Sequence, residues 1–415
     1  MKQSYKHLIG SMARTLLGLT FIFSGFVKAI DPLGTTYKIE DYFKAFGGFF
    51  NSLIPTAEFL AFCLIAFEFV LGVCLLCNVA TKWTSWLALL MMVVMTPITL
   101  YLAIANPISD CGCFGDAVVL SNRATFWKNV VLTALVIVLL VFKDSIPSTF
   151  LPWMEWVIAG VALLFVIAWM VITLRHLPLI DFRPYKIGNN IEELMQYPDD
   201  AEPDQYLTTF IYEKDGKQKE FDLTNYPKGD STWTFVDQHT VLVKKGYEPP
   251  IHDFEIMTED FTDLTDDVLQ QPQAVMVVMY DLKKTTTTLM PRLQHFVEQC
   301  AEASVPVYML TGSTFDDIEQ FVNTYFASSN LDFYQNFYTC DPVTLKTIVR
   351  ANPGVVVLSH GVITDKFNLR NRATVPAPLE VDLDEKSSSD EYYISDEYTD
   401  DNVYTEEQDF SAEVE

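Results

Sequence analysis

The 415 residues predict a membrane all-α helical bundle followed by an α+β soluble region. Three observations lead there. Five apolar stretches are each long enough to cross a hydrocarbon core of ~30 Å, which takes ~20 helical residues. Six of the seven Trp lie in the first half, and Trp83, Trp86, Trp127, Trp153 and Trp156 fall at the ends of those stretches, where an indole prefers the headgroup level. A net charge of −26 also coexists with a positive mean hydropathy, so the acidic and apolar residues must occupy different segments. Residues 380–415 alone carry 15 Asp and Glu against one Lys, which puts more than half of the net charge in the tail. A chain this acidic, without basic stripes, has no electrostatic grip on phosphate backbones, which disfavours nucleic acid, and none is expected as a partner.

The spans are expected at Leu8–Ile30, Thr56–Asn78, Thr84–Ala105, Ala124–Phe142 and Trp153–Leu174. Lys2 and Lys6 precede the first, as in a secretory signal. Lys28 interrupts it late, however, and no small-x-small site precedes Asp31, so an uncleaved anchor is expected. Orientation is not decided by charge. With the N-terminus inside, the inner flanks hold Lys2, Lys6, Arg14, Lys82 and Lys143, and the outer flanks hold Lys38, Lys44, Arg123, Lys128, Arg175, Arg183 and Lys186. Between the first two spans, Ile39, Tyr42, Phe43, Phe46, Phe49, Phe50 and Leu53 recur at helical spacing with charges on the other face, which predicts one helix lying on the bilayer.

Charges inside spans are costly, ~2.5–3.5 kcal/mol each on insertion scales, and need partners. Antiparallel packing of the first two spans predicts pairing of Arg14 with Glu68 and of Lys28 with Glu58. Two roles stay open for them: interhelical pairing with snorkelling cations, or a proton or quinol path around Glu68.

Seven Cys occur. The informative segment is Asp110-Cys111-Gly112-Cys113-Phe114-Gly115-Asp116, after the third span. Two thiols one residue apart, with Gly permitting a tight backbone, can form a strained and therefore oxidising disulfide. The same spacing supplies two metal ligands, but no second Cys pair or His cluster accompanies it, so no metal site is predicted. Cys74 and Cys77 have redox spacing but sit in an apolar helix, where Cys is usually a small hydrophobe.

Several motifs together resemble the DoxX/MauE family. They are Arg14-x2-Leu17-Gly18, Phe23-Ser24-Gly25-x2-Lys28-x2-Asp31-Pro32, Glu68-x3-Gly72 and the Cys111-Gly112-Cys113-Phe114-Gly115-Asp116 segment. These are small four-span bacterial membrane proteins, and the resemblance covers residues 8–143, leaving 153–174 as a fifth span. The Cys-Gly-Cys-Phe-Gly-Asp part points to the MauE branch. That branch is associated with methylamine utilisation, through maturation of a disulfide-rich dehydrogenase subunit. Other DoxX relatives are linked to quinone-coupled sulfur and thiol oxidation. The resemblance therefore implies a redox neighbourhood with Cys111 and Cys113 as a redox pair. A quinone is the candidate acceptor, and the question stays open.

Residues 178–250 form a β-rich connecting region. Thr208–Glu213 and Lys219–Leu223 read as a hairpin about Lys214-Asp215-Gly216-Lys217, and Trp233–Val236 with Thr240–Lys244 as another strand pair. Residues 251–372 give a β-α-β-α-β-β order, with strands at Ala274–Tyr280, Pro306–Leu310, Val355–Leu358 and Gly361–Lys366, and helices at Leu289–Ala303, Phe315–Tyr325 and Pro342–Arg350. The order resembles a membrane-anchored, extracytoplasmic thioredoxin-like domain, with Pro353 at the position of that fold's cis-proline. Where that fold places two thiols, this sequence has Thr285 and Thr288, and a hydroxyl forms no disulfide. Cys300 and Cys340 are expected in the core. What remains is a groove beside Pro353, Thr285 and Thr288 able to take an extended peptide. Residues 376–415 are acidic and poor in aliphatics, hence disordered by composition, with Tyr392, Tyr393, Tyr398 and Tyr404 as the only hint of a partner motif.

Two functions follow. One is an inner-membrane protein supporting extracytoplasmic thiol oxidation or disulfide delivery, its thiol-less domain a receptor for a protein substrate. The alternative is a non-catalytic anchor presenting a binding module to an envelope complex. Both put the soluble region outside the cytoplasm, and every span implies contact with membrane lipid.

Overall fold

The computed structural model describes residues 2–108, 110–147, 149–198, 200–244 and 246–373, and the acidic tail with its tyrosines lies outside these. Among the described residues, five helices are long and apolar enough to cross a membrane. They are α1 (Lys2–Ile30), α3 (Ala57–Leu76), α4 (Thr81–Ala105), α5 (Asn122–Phe142) and α6 (Pro152–His176). Ala13, Leu17 and Phe21 of α1 pack with Leu71 and Leu75 of α3, Met92 of α4 and Val136 of α5. α6 is applied from outside, its Ala162, Val166 and Met170 against Ala29, Ile65 and Phe69. Trp83, Trp86, Trp127, Trp153 and Trp156 are all exposed at helix ends, as a headgroup belt requires.

α1 and α3 approach closely because glycine lies at the crossing. A Cβ on Gly18 would fall 2.7 Å from the Leu76 nitrogen, on Gly72 2.5 Å from that of Ile22, and on Gly25 2.7 Å from that of Phe69. Small residues at such a crossing let backbones touch where no solvent drives association. This register corrects the expected ion pairs. Lys28 meets Glu68 at 2.6 Å, not Glu58, which is exposed in the first turn of α3. Arg14 does not reach Glu68; it donates to the carbonyls of Leu75 and Leu76, at the end of α3.

α2 (Pro32–Phe46) starts directly after α1, with Asp31 as its cap accepting from the Gly34 amide at 3.0 Å. The single helix expected through Leu53 is broken instead. Gly47 and Gly48 take left-handed φ of +63° and +54°, and a 3-10 stretch, Gly48–Thr56, leads into α3.

Beyond α6 come α7 (Ile191–Met195) and a three-stranded antiparallel sheet of β1 (Gln205–Lys214), β2 (Lys217–Asp222) and β3 (Thr234–Lys244), in the order β2-β1-β3. The hairpin turns at Asp215-Gly216, as expected, both residues having positive φ. The second expected strand pair is one continuous strand, because β1 is long enough to template all of β3.

The remainder is α8 (Thr265–Leu269), β4 (Ala274–Val278), α9 (Met290–Glu302), β5 (Val307–Thr311), α10 (Phe315–Tyr325), β6 (Phe337–Thr339), α11 (Pro342–Ile348), β7 (Gly354–Ser359) and β8 (Val362–Asn368). The sheet runs β6-β5-β4-β7-β8, with β4, β5 and β6 parallel and β7 and β8 antiparallel to their neighbours. Alternate residues of β4 enter opposite cores, as a strand period of two dictates: Ala274, Met276 and Val278 on one face, Val275 and Val277 on the other. α9 and α10 cover the second face. α8 and α11 cover the first, together with Leu177, Tyr185 and Ile191 from the segment leaving α6. The Asn352–Pro353 peptide is cis. Cys300 and Cys340 are buried in these cores, and burial pushes each thiol up to about 12.

Candidate functional site

The connections that alternate between helices bring the Cys111–Cys113 loop, α2 and the soluble region to one end of the bundle. Gly112 and Gly115 hold the loop in left-handed conformations, φ +65° and +53°, and a Cβ at Gly112 would collide with Lys38 at 2.9 Å. Asp110 closes the turn onto the Gly112 amide at 2.8 Å and pairs with Lys38, also at 2.8 Å. Tyr42 of α2 donates to the Cys111 carbonyl at 2.6 Å, and Ser24 of α1 to that of Cys113 at 2.6 Å. The loop is thus clamped from two helices through its backbone, which leaves the sulfurs to chemistry.

The two Sγ atoms are 2.9 Å apart and both thiols are free. Their environments differ. The hydrogen bond with Cys111 holds the Cys113 thiol below the ordinary range against the opposing effect of burial, and Lys128 and Lys28 add to this. The same bond, with burial, pushes Cys111 up. Cys113 is therefore the more readily ionised of the two. Beneath it, the Lys28 ammonium donates to Glu68 at 2.6 Å and to Ser24 Oγ at 3.0 Å, both groups buried. Lys128 lies 4.1 Å from the Phe114 ring centre.

A cavity of about 390 Å³ opens beside the dithiol. Its polar end is Lys28, Asp31, Tyr42, Cys111, Cys113 and Asp116; its apolar walls are Phe43, Phe46, Leu64, Val94 and Ile98 from α2, α3 and α4. Phe50 and Leu60, which also line it, are exposed at the surface of the bundle.

Sequence reasoning missed the charges that join the two halves. Arg350, just past α11, is buried; its Nε lies 2.7 Å from Asp31 Oδ2 and its Nη2 lies 3.6 Å from Asp116 Oδ2. Burial disfavours the Asp31 charge, yet Arg350 and Arg183 hold that carboxyl below its usual range; Asp116, at the longer distance, is pushed up by burial. The only sequence signal was that both aspartates belong to the quoted motifs.

Of the groove residues, Thr285 is buried and donates to the Asp281 carbonyl at 2.9 Å and the Asn352 side chain at 3.0 Å. Pro353 is buried, Thr288 is exposed, and none of the three lines the dithiol cavity. Cys74 and Cys77 lie at the end of α3 where Arg14 binds, away from Cys111 and Cys113.

Residues 206–245, the three-stranded sheet, match a domain of unknown function (DUF8463), and residues 6–142 match the family model described as methylamine utilisation protein MauE. Comparison with curated proteins and with solved structures gave no match. The four-span bundle with its dithiol loop thus matches the MauE model, and the three-stranded sheet that follows it in the chain matches DUF8463.

Proposed function

We propose that this protein oxidises thiols of an extracytoplasmic protein substrate through Cys111 and Cys113 and passes the electrons to a membrane quinone, a maturation role of the methylamine-utilisation type. The observation that carries this reading is the cavity: it joins an apolar, outward-opening wall to a close thiol pair, so an acceptor arriving from lipid meets the sulfurs without crossing water. Its size lies within the ~300–1,000 Å³ of ordinary ligand pockets.

The steps balance. A substrate thiolate attacks Cys111 of the oxidised pair and forms a mixed disulfide, and Cys113 leaves as the better-stabilised thiolate. A second substrate thiol then attacks the mixed disulfide, releases Cys111 and closes the substrate's own disulfide. The reduced pair is reoxidised as a quinone takes two electrons and two protons to become a quinol. Lys28, with Glu68 behind it, keeps positive charge beneath Cys113 through both half-reactions.

The soluble region is read as a thioredoxin-like receptor without thiols. Its strand order, the cis Asn352–Pro353 peptide and Thr285 against Asn352 support this. The purified, reduced protein mixed with a short-chain quinone is expected to yield one quinol per dithiol oxidised. A Cys111→Ser/Cys113→Ser variant that reduces quinone at the wild-type rate would end the reading. Protease access in spheroplasts tests the placement of the soluble region outside.

The anchor reading keeps one observation in its favour: the three-stranded sheet exposes Leu207, Phe235, Val241 and Val243. It expects an envelope partner that cross-links to residues 206–245 and is retained when both cysteines are replaced.

A further inference from the structure

We infer that residues 177–185 and the soluble region behind them form a cover over the dithiol cavity, held closed by Arg350 in the carboxylate pair Asp31 and Asp116. The purpose of such a cover rests on the thiol-exchange reading; the geometry and the test below do not.

The segment leaving α6 belongs to two structures at once. At its ends Leu177 and Tyr185 are buried in the soluble region's core, with Ile251, Phe254 and Leu345. Between them Pro178, Ile180, Phe182 and Arg183 line the cavity beside the dithiol. The strap is also tied to the soluble region by charge. Asp181 takes Arg183 at 2.7 Å and Lys366 at 2.8 Å; Arg183 donates to the Thr347 carbonyl at 2.9 Å, and Lys366 to that of Tyr185 at 2.6 Å. Strap and soluble region therefore move as one piece.

That piece meets the membrane region at two places: at the end of α6, where Asn371 donates to the Arg175 carbonyl at 2.8 Å, and around Arg350. Arg350 enters between Asp31, at the start of α2, and Asp116, three residues past Cys113. Lys346 sits 4.7 Å from the Tyr37 ring centre, and Tyr37 stacks edge-on with Tyr280 at 6.4 Å. Removing one partner of a buried ionic group leaves uncompensated charge. Without Arg350, Asp31 and Asp116, both on the membrane side of the contact, would be left without the cation that enters between them, and lifting the cover to admit water relieves that cost. The need for opening is geometric: Cys111, the sulfur that a substrate thiolate must approach in line, is only 8% exposed with the cover down. A protein thiol cannot enter by the lipid-facing rim. It must take the place of the cover, and the two carboxylates there favour a substrate with a basic side chain near its cysteine.

The test is the size dependence of thiol labelling in the full chain, read peptide by peptide at Cys111 and Cys113 by mass spectrometry. In the wild type, N-ethylmaleimide is expected to react and a maleimide carrying a long polyethylene glycol chain to lag far behind. Arg350→Ala should raise the bulky reagent's rate about tenfold, the change that ~1.4 kcal/mol of lost contact gives, and leave the small reagent's rate within about twofold. Arg350→Lys, which keeps the charge but not the two-sided fork, should fall between. Should Arg350→Ala fail to insert, Asp31→Asn with Asp116→Asn, which keeps both volumes and removes the charges that hold Arg350, decides: it should raise bulky labelling of Cys111 and Cys113 in the same way and leave small-reagent labelling within about twofold. The inference is overturned if the wild type reacts equally fast with both reagents, or if Arg350→Ala or the double Asn variant leaves the ratio unchanged. Quinone reduction without size-selective protection would sink the cover and spare the redox reading. Protection without quinone reduction would do the reverse.

Discussion

Replacing Glu68 by Gln keeps its volume and removes its charge, and the cost can be worked from the geometry. Glu68 and Lys28 are 3% and 5% exposed and meet at 2.6 Å. At an effective dielectric of ~20, opposite unit charges at that distance attract by about 6 kcal/mol. Dehydrating each ion costs several kcal/mol, so the intact pair is worth little more than an apolar pair of the same shape. The single change is different. It strands the Lys28 ammonium with only Ser24 Oγ and an amide oxygen, for an expected loss of about 3–5 kcal/mol. Replacing both residues, as in Lys28→Met/Glu68→Leu, should recover most of that loss. The assay is reversible unfolding in mixed micelles titrated with dodecyl sulfate, followed by tryptophan fluorescence. A loss under about 1 kcal/mol for Glu68→Gln, or a double variant as unstable as its two singles added together, would refute the reasoning.

Three further outcomes are expected. Gly72→Ala should destabilise the bundle by about 1–3 kcal/mol or more, since the added carbon would lie 2.5 Å from a backbone nitrogen of α1; an unchanged transition in the same micelles counts against the crossing. With a small alkylating reagent at neutral pH, Cys113 should react before Cys111, and Cys300 and Cys340, each pushed up to about 12 by burial, should stay unmodified until the fold is lost. Lys366 is held down to about 8 by burial and by the like charge of Arg183, so the folded state releases this proton before the unfolded chain does. Strap stability should therefore rise with pH between about 8 and the ordinary lysine value of 10.5, and Lys366→Met should flatten that rise in hydrogen exchange of the Gly188 amide, which donates to the Ile363 carbonyl.

What could be read in advance followed the range of the forces involved. Hydropathy is local, so all five spans were legible, as was the hairpin at Asp215-Gly216, whose turn chemistry sits in two adjacent residues. The Cys111–Cys113 loop was legible for the same reason. The partners of the buried charges were not. Matching depths along two full-length helices paired Arg14 with Glu68, whereas three glycines at the crossing set the register and gave Glu68 to Lys28. The apolar spacing from Ile39 to Leu53 hid a break that two consecutive left-handed glycines impose. The Arg350–Asp31 contact spans 319 residues of sequence, and no local pattern around either residue announces the other. The cavity was invisible because it is assembled from α1, α2, α3, α4, the loop and the strap, none of which forms it alone.

The double membership of the strap has a practical consequence. Ending the protein after His176 to study the bundle would strip one wall from the cavity, along with Arg183 and the guanidinium between Asp31 and Asp116. Starting at Ile191 to study the soluble half would leave a hole where Leu177 and Tyr185 belong. Neither fragment would report what its half does in the whole protein. Dissection here has to proceed by single side chains, with the polypeptide left uncut.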